Sequence, residues 1–233
     1  MADIYDFCRA DKQRLQSELI MQIQKFTFNA FEENTYILFD DTKQCAIVDP
    51  GCNDSYEKRE LSNFISANQL KPVLLLNTHC HIDHMLGNKY VCDTYQLKPQ
   101  MHQGELSQLR ATYVYGPMYG VVPEISPEPE IFLDESSVVR FGNTTLKVLF
   151  TPGHSPASIC FYNPILNQII AGDVLFYQSI GRTDLPGGNF ETLKQSIQQK
   201  LYTLPDETIV YPGHGPITHI GFEKKMNPFV TAI

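Results

Sequence analysis

The residues best suited to chemistry in this chain lie in Thr78-His79-Cys80-His81-Ile82-Asp83-His84, where imidazoles and a carboxylate crowd together. The stretch follows Val73-Leu74-Leu75-Leu76, an apolar run that reads as a buried strand. Polar side chains just past the end of such a strand need a partner that offsets their lost hydration, and a divalent cation is a natural one. On extended backbone His79 and His81 point to one side, whereas the neighbours Asp83 and His84 diverge, which suits a second metal beside the first. Mixed imidazole and carboxylate donors suit Zn²⁺, with Fe²⁺ or Mn²⁺ as alternatives, better than Ca²⁺ or Mg²⁺. Cys80 alternates away from the two flanking histidines and reads as packing.

More donors of the same kind follow other strand-like runs. Val148-Leu149-Phe150 leads to Thr151-Pro152-Gly153-His154, Ile169-Ile170-Ala171 to Gly172-Asp173, and Ile209-Val210-Tyr211 to Pro212-Gly213-His214. Pro-Gly before His154 and His214 supplies a sharp turn that releases each imidazole from its sheet. Sandwiched sheets can bring such strand ends to one edge. His79, His81, His84, His154 and His214 with Asp83 and Asp173 are enough donors for two metals that share one carboxylate and one water. His102 and His219 have no such context and read as surface or packing residues.

The elements that must carry these donors are mixed α and β. Residues 21–28 alternate like an edge strand, and 34–39 and 45–48 form two more, the last stopped by Asp49-Pro50-Gly51. Helical spacing runs over 55–68, capped by Asp54 or Ser55, and again over 88–97, 105–115 and 189–201. Residues 138–141 and 144–150 form a hairpin around Gly142-Asn143, and 158–162 with 168–171 form another. Residues 208–211 are a short strand, and the tail from Gly221 is helical. The Tyr-, Gly- and Pro-rich segment 116–120 is either a substrate lid or a packed loop. Residues 1–20, with a short amphipathic helix over 13–20, read as an appendage of unknown role preceding one domain over 21–233.

Composition narrows the class. Hydrophobic residues at 42% and charged residues at 19% describe a globular chain, with no apolar run long enough to span a membrane. A net charge of −8 lacks the basic stripe that nucleic acid requires. The N-terminus has no signal-peptide core, and six scattered cysteines without a Cys-x-x-Cys pair read as reduced thiols, so a cytoplasmic monomer or homodimer is expected.

The pattern His79-x-His81-x-Asp83-His84, then His154, Asp173 and His214, resembles the metallo-β-lactamase superfamily over about residues 21–220. Within it the chain is similar to the glyoxalase II-like, or hydroxyacylglutathione hydrolase-like, group. Phe31 to Tyr36, Asp49-Pro50-Gly51, Gly181-Arg182-Thr183-Asp184 and Tyr211-Pro212-Gly213-His214-Gly215-Pro216 carry that likeness. The resemblance implies an α+β fold, an αββα sandwich with the metals at one edge of the sheets. It implies that His79, His81 and His154 hold one ion, that Asp83, His84 and His214 hold the other, and that Asp173 bridges them. Asp83 is also expected to be catalytic, and Arg182 stands where the family places a basic residue against a substrate carboxylate. Full-length glyoxalase II enzymes carry a helical C-terminal extension with basic residues for glutathione. Here Lys224 and Lys225 are the last basic residues, so weak binding of S-lactoylglutathione is expected.

A hydroxide bridging two ions would attack a thioester carbonyl at neutral pH, with the thiolate leaving unaided because a free thiol has a pKa of about 8.5. The expected substrate is a small anionic thioester. The competing readings are a mononuclear iron persulfide dioxygenase, which shares these histidines, and a non-catalytic metal-binding module.

Overall fold

A computed structural model describes residues 21–232; the appendage and the helix expected over 13–20 lie outside the described residues. The chain opens with the strands β1 (Gln22–Phe28), β2 (Glu33–Phe39) and β3 (Gln44–Val48), then the helix α1 (Ser55–Ala67) and β4 (Lys71–Leu76). A single 3₁₀ turn over Ile82–His84 precedes α2 (Asn88–Tyr95), β5 (Pro99–Met101), α3 (Leu106–Tyr115) and β6 (Ile131–Phe132). The second half contains β7 (Val138–Phe141), β8 (Thr144–Phe150), β9 (Ile159–Asn163), β10 (Gln168–Gly172), β11 (Leu175–Phe176) and β12 (Ser179–Ile180). It ends with α4 (Phe190–Ser196), β13 (Ile209–Pro212), β14 (Thr218–His219) and α5 (Ile220–Met226). The first sheet runs β1-β2-β3-β4-β5-β6 and the second β14-β13-β10-β9-β8-β7, with β11 and β12 as a separate ribbon.

Alternation along the strands builds the layers. In β2, Tyr36 and Leu38 face Val148, Phe161 and Ile170 of the opposite sheet, while Ile37 faces outward to Leu61 and Ile65 of α1. All of β2 is buried, because both of its faces are covered. On the far side Cys160, Ile169 and Val210 pack against Leu193 of α4. Helix, sheet, sheet and helix thus stack around two outer cores and one inner core, which is the αββα sandwich expected. The helix α1 starts where Asp54 accepts hydrogen bonds from the N–H groups of Tyr56 and Glu57 and Glu57 reaches back to Asp54, a complete capping box.

Two details differ from the reading of the sequence. Only the end of β4 is deeply buried, and Val73 is exposed, because β5 pairs with Leu75 and Leu76 alone and leaves the first half of β4 with one neighbour. The helix from Phe190 widens into a π turn over Ile197–Leu201. The edge β1 and the two hairpins form as expected, with Gly142 at φ +51° in the tight turn.

Strand direction decides where the functional ends emerge. Strands β3 and β4 are parallel, as are β10 and β13, and β8 runs the same way because it and β10 are both antiparallel to β9. The two sheets are tied together at this edge by Asn34, whose side-chain amide donates to the carbonyls of Pro212 at 3.0 Å and Gly215 at 2.9 Å. The hydroxyl of Tyr36 adds a bond to Pro212 at 2.7 Å. Replacing Asn34 by Ala is expected to lower stability by about 2 kcal/mol and the melting temperature by about 4–8 °C. An unchanged thermal transition would show that this latch adds nothing to stability.

Candidate metal centre

His79 lies three residues past β4 on a loop that turns into the 3₁₀ helix carrying Asp83 and His84. His154 follows β8, Asp173 follows β10 directly, and His214 follows β13. The two Pro-Gly turns work differently. Gly153 has φ +131°, a conformation that a side chain disfavours. Gly213 has no such angle; a Cβ there would collide with Asp173 Oδ1 and His84 Cε1, so its requirement is close approach.

All seven expected donors meet at this edge. His79, His81 and His154 form one group and Asp83, His84 and His214 another, with the donor atoms of each within 4.8 Å of one another. Asp173 lies between them, its Oδ2 3.3 Å from His154 Nε2 and its Oδ1 3.3 Å from His84 Nε2. Six of the seven are buried and His214 is half-buried.

Neighbours fix which imidazole nitrogen carries the proton. His154 Nδ1 is 2.7 Å from the carbonyl of Arg182, which only accepts, so Nδ1–H donates and Nε2 keeps its lone pair. That Nε2 stands 2.8 Å from His81 Nδ1 and 3.2 Å from His79 Nε2. The Thr78 hydroxyl donates to Asp49 and therefore accepts from His79 Nδ1 at 3.1 Å, which frees His79 Nε2. His84 Nδ1 faces Asp49 Oδ2 at 3.2 Å, and His84 Nε2 and Asp173 Oδ1 are buried with no hydrogen-bond partner among the described residues. Converging lone pairs and unpartnered buried polar atoms fit divalent cations, with Asp49 and the Arg182 carbonyl orienting the rings from behind. A further grouping of Asp49, His79 and His84 is also compact, but Asp49 already accepts from Thr78 and His84 and is better placed as the outer support.

Electrostatics agree with that division. Burial, reinforced by neighbouring imidazoles, holds His79 well below the ordinary value, and burial with His154 pulls His81 down to about 3. Burial likewise lowers His154, so the first group is neutral and ready to donate lone pairs. In the second group burial of His84 is outweighed by Asp83 and Asp173, which raise it well above the usual range. Burial would raise Asp83 and Asp173, but His84 and the other imidazoles more than reverse it and keep both ionised.

The centre forms the floor of a cleft of ≈ 590 Å³. Met118 and Tyr119 from the turn after α3 line it, so the segment left open between lid and packed loop is a cleft wall. Arg182 lines it too, yet its guanidinium is gripped by Asp184 through contacts of 2.7 and 2.6 Å, and it is largely exposed. Lys224 pairs with Asp206 and does not line the cleft. His102 stacks on Phe150 and His219 opens α5 at the surface, as expected of residues without a site. The described cysteines are all free and buried; burial pushes Cys45, Cys52 and Cys160 up to about 12, which makes them packing groups. No described helix is long and apolar enough to cross a membrane.

Sequence reasoning missed the supports. Asp49 was read only as a strand stop, although its place at the end of β3, beside the end of β4, marks it as part of the edge. Glu105 gave no signal at all. Its buried carboxylate accepts from the N–H of Cys80 at 2.9 Å, the N–H of Ala157 at 2.8 Å and the hydroxyl of Ser155 at 2.6 Å. It thereby ties the His79–His84 loop to the His154 loop.

Comparison with known proteins agrees with this geometry. Residues 29–214 match the family described as the metallo-beta-lactamase superfamily. A probable metallo-hydrolase, YqgX of Bacillus subtilis, is 38% identical over 90% of this chain and 98% of its own. The hydroxyacylglutathione hydrolase GloC of Haemophilus influenzae is 34% identical over 91% of this chain and 99% of its own. Among solved structures, TTHA1623 in a di-iron-bound form superimposes with a TM-score of 0.80 at 33% identity, covering 89% of this chain and all of that one.

Glu105→Ala strands three buried donors, so a loss of about 3 kcal/mol and a fall in melting temperature of about 6–12 °C are expected. Glu105→Gln, which keeps an acceptor, should recover part of it. Equal melting temperatures for the wild type and both variants would rule out the tie.

Proposed function

The chain belongs to the metallo-β-lactamase superfamily, and from that premise we propose that it is a two-metal hydrolase of small anionic thioesters, acting in the cytoplasm in the manner of hydroxyacylglutathione hydrolases. The observation that carries this reading is the pair of complete donor groups joined by Asp173. The likeness to GloC supports the thioester, and the di-iron form of TTHA1623 supports two ions, with zinc the expected occupant and iron or manganese the alternatives.

The reaction adds water across the acyl–sulfur bond: a C–O bond forms, the C–S bond breaks, and a carboxylate and a thiol leave. Divalent ions held at the centre would supply a water ionised near neutral pH and a Lewis acid toward the carbonyl oxygen. His79, His81 and His154 would hold one ion through the nitrogens freed by Thr78 and Arg182, and Asp83, His84 and His214 the other. Asp173 lies between the two groups, its two oxygens facing His84 and His154. Asp83 Oδ2 lies 3.0 Å from His214 Nε2 at the cleft floor, where a carboxylate kept ionised can accept a proton from water and orient it. A thiolate departs without a strong acid near it. Because Arg182 is compensated by Asp184 and exposed, its share in holding a substrate carboxylate is that of a surface ion pair, about 0.2–1 kcal/mol.

Purified protein is expected to bind two divalent ions and to hydrolyse S-lactoylglutathione, and Asp173→Ala should lose both metal and activity. Titrating metal-stripped protein with Zn²⁺ near pH 7 should release protons, because His84 is held protonated by Asp83 and Asp173 and must yield Nε2. Calorimetry in buffers of different ionisation enthalpy reads that release. Arg182→Ala should raise KM for the anionic thioester by no more than about fivefold. A single bound iron with O₂ consumption on glutathione persulfide would replace the hydrolase by the dioxygenase reading. Two bound ions with no turnover of any thioester or persulfide would leave a metal-binding module.

A further inference from the structure

The walls of the cleft have a chemistry that the reaction at its floor does not require. Met118 and Tyr119 rise on one segment, Phe176 and Ile180 on the β11–β12 ribbon, and Leu185 and Pro186 on the loop after Arg182. Met118 is 84% exposed and Tyr119 52%, so two large side chains beside a reactive centre have little protein packed on them. Tyr119 is set by edge contacts with Phe31 and Tyr115, which gives this wall an aromatic corner. Polar groups of Tyr115, Gln108 and Arg182 on the walls are already engaged. The hydroxyl of Tyr115 pairs with Gln108 at 3.2 Å and Thr112 at 3.0 Å, and the fork of Arg182 is filled by Asp184.

Among the described residues Arg182 is the one lysine or arginine that lines the cleft. The carboxylates and amides of a glutathionyl group would therefore meet mainly apolar side chains, with no unpaired lysine or arginine beside them. Transfer of aliphatic or aromatic surface into the same space is favourable. The space is also far larger than a two- or three-carbon acyl group fills, being in the range that holds ligands of drug size.

We infer that the cleft is a subsite for an apolar group, and that the substrates of this centre are thioesters carrying a medium-length aliphatic or an aromatic group next to the scissile carbonyl. This rests on the thioester hydrolase reading and names its substrate class. Any anionic group the substrate carries would lie at the cleft floor beside the ions and not against the walls.

The test uses the metal-loaded full chain and N-acetylcysteamine thioesters from acetyl to octanoyl, with phenylacetyl beside them. A second series extends the thiol side by methylenes at constant acetyl. Each added acyl methylene should raise kcat/KM roughly threefold to fourfold until the walls are covered, and a dependence confined to the thiol series would overturn the placement next to the carbonyl. Met118→Asp and Leu185→Asp should flatten that dependence. Binding gives an independent readout: ketone analogues with CH₂ in place of the thioester sulfur should bind more than tenfold tighter at octanoyl length than at acetyl length by calorimetry. Hydrolysis that ignores chain length, with equal affinities for both analogues, would overturn the apolar subsite and leave the hydrolase reading standing. No hydrolysis of any thioester, with the longer analogue still bound tighter, would remove the hydrolase reading and keep the subsite.

Discussion

The carboxylate of Asp49 is the support on which the candidate metal centre turns. It accepts the backbone N–H of Thr78 at 2.7 Å, the Thr78 hydroxyl, and His84 Nδ1 at 3.2 Å. Through Thr78 it sets the tautomer of His79, and directly it sets that of His84, so one side chain orients a donor in each half of the centre. The position is reached by a departure from regular structure. Asp49 leaves β3 at φ +48°, a left-handed conformation that aspartate tolerates better than a branched residue, and Pro50 follows at once. Since β3 and β4 are parallel neighbours, the carboxylate and the Thr78-His79 turn emerge together.

The rest of the sandwich keeps loops from two different sheets in register with that support. The sheets meet through an apolar interior that specifies distance loosely, whereas hydrogen bonds at the edge specify it tightly. Asn34 and Tyr36 of the first sheet hold the carbonyls around His214 of the second. Glu105 holds the loops of His81 and His154 to each other. Asn34 N–H also bonds the carbonyl of Gly213, at 2.7 Å, next to the point where Gly213 must pass Asp173 without a side chain. Geometry at the donors is therefore over-determined by partners that never face the cleft.

That division explains what could be read from the chain alone. The donors were legible because His and Asp recur just past apolar runs, and strand ends in a sandwich share an edge. Layers were legible because β2, β8 and β10 are apolar enough to be covered. The supports were not, since a single buried polar residue has no period: Glu105 meets Ala157 and Asp49 meets Thr78 only after the fold exists. Strands of two or three residues, such as β6, β11 and β14, are too short to show alternation. Arg182 illustrates a different limit: the resemblance assigns it to a substrate carboxylate, and the structure shows its guanidinium paired with Asp184.

Charge around His84 shows why the centre is suited to cations rather than to water. Asp49, Asp83 and Asp173 surround that imidazole at 3.2, 3.5 and 3.3 Å, and Glu33 lies 3.8 Å away, fully buried. Burial pushes the Glu33 carboxyl well up, even with His84 nearby, so it adds a polar wall with little charge of its own. The three aspartates still concentrate negative charge where water is excluded, and such a group must be neutralised by something held at its centre. A proton on His84 is one way, and it occupies Nε2, the atom that Asp83 and Asp173 flank. Divalent ions are the other, and they need the same lone pair free. The two solutions exclude each other at a single nitrogen, so a proton and a metal would compete there while Asp49 keeps the ring aimed correctly for either.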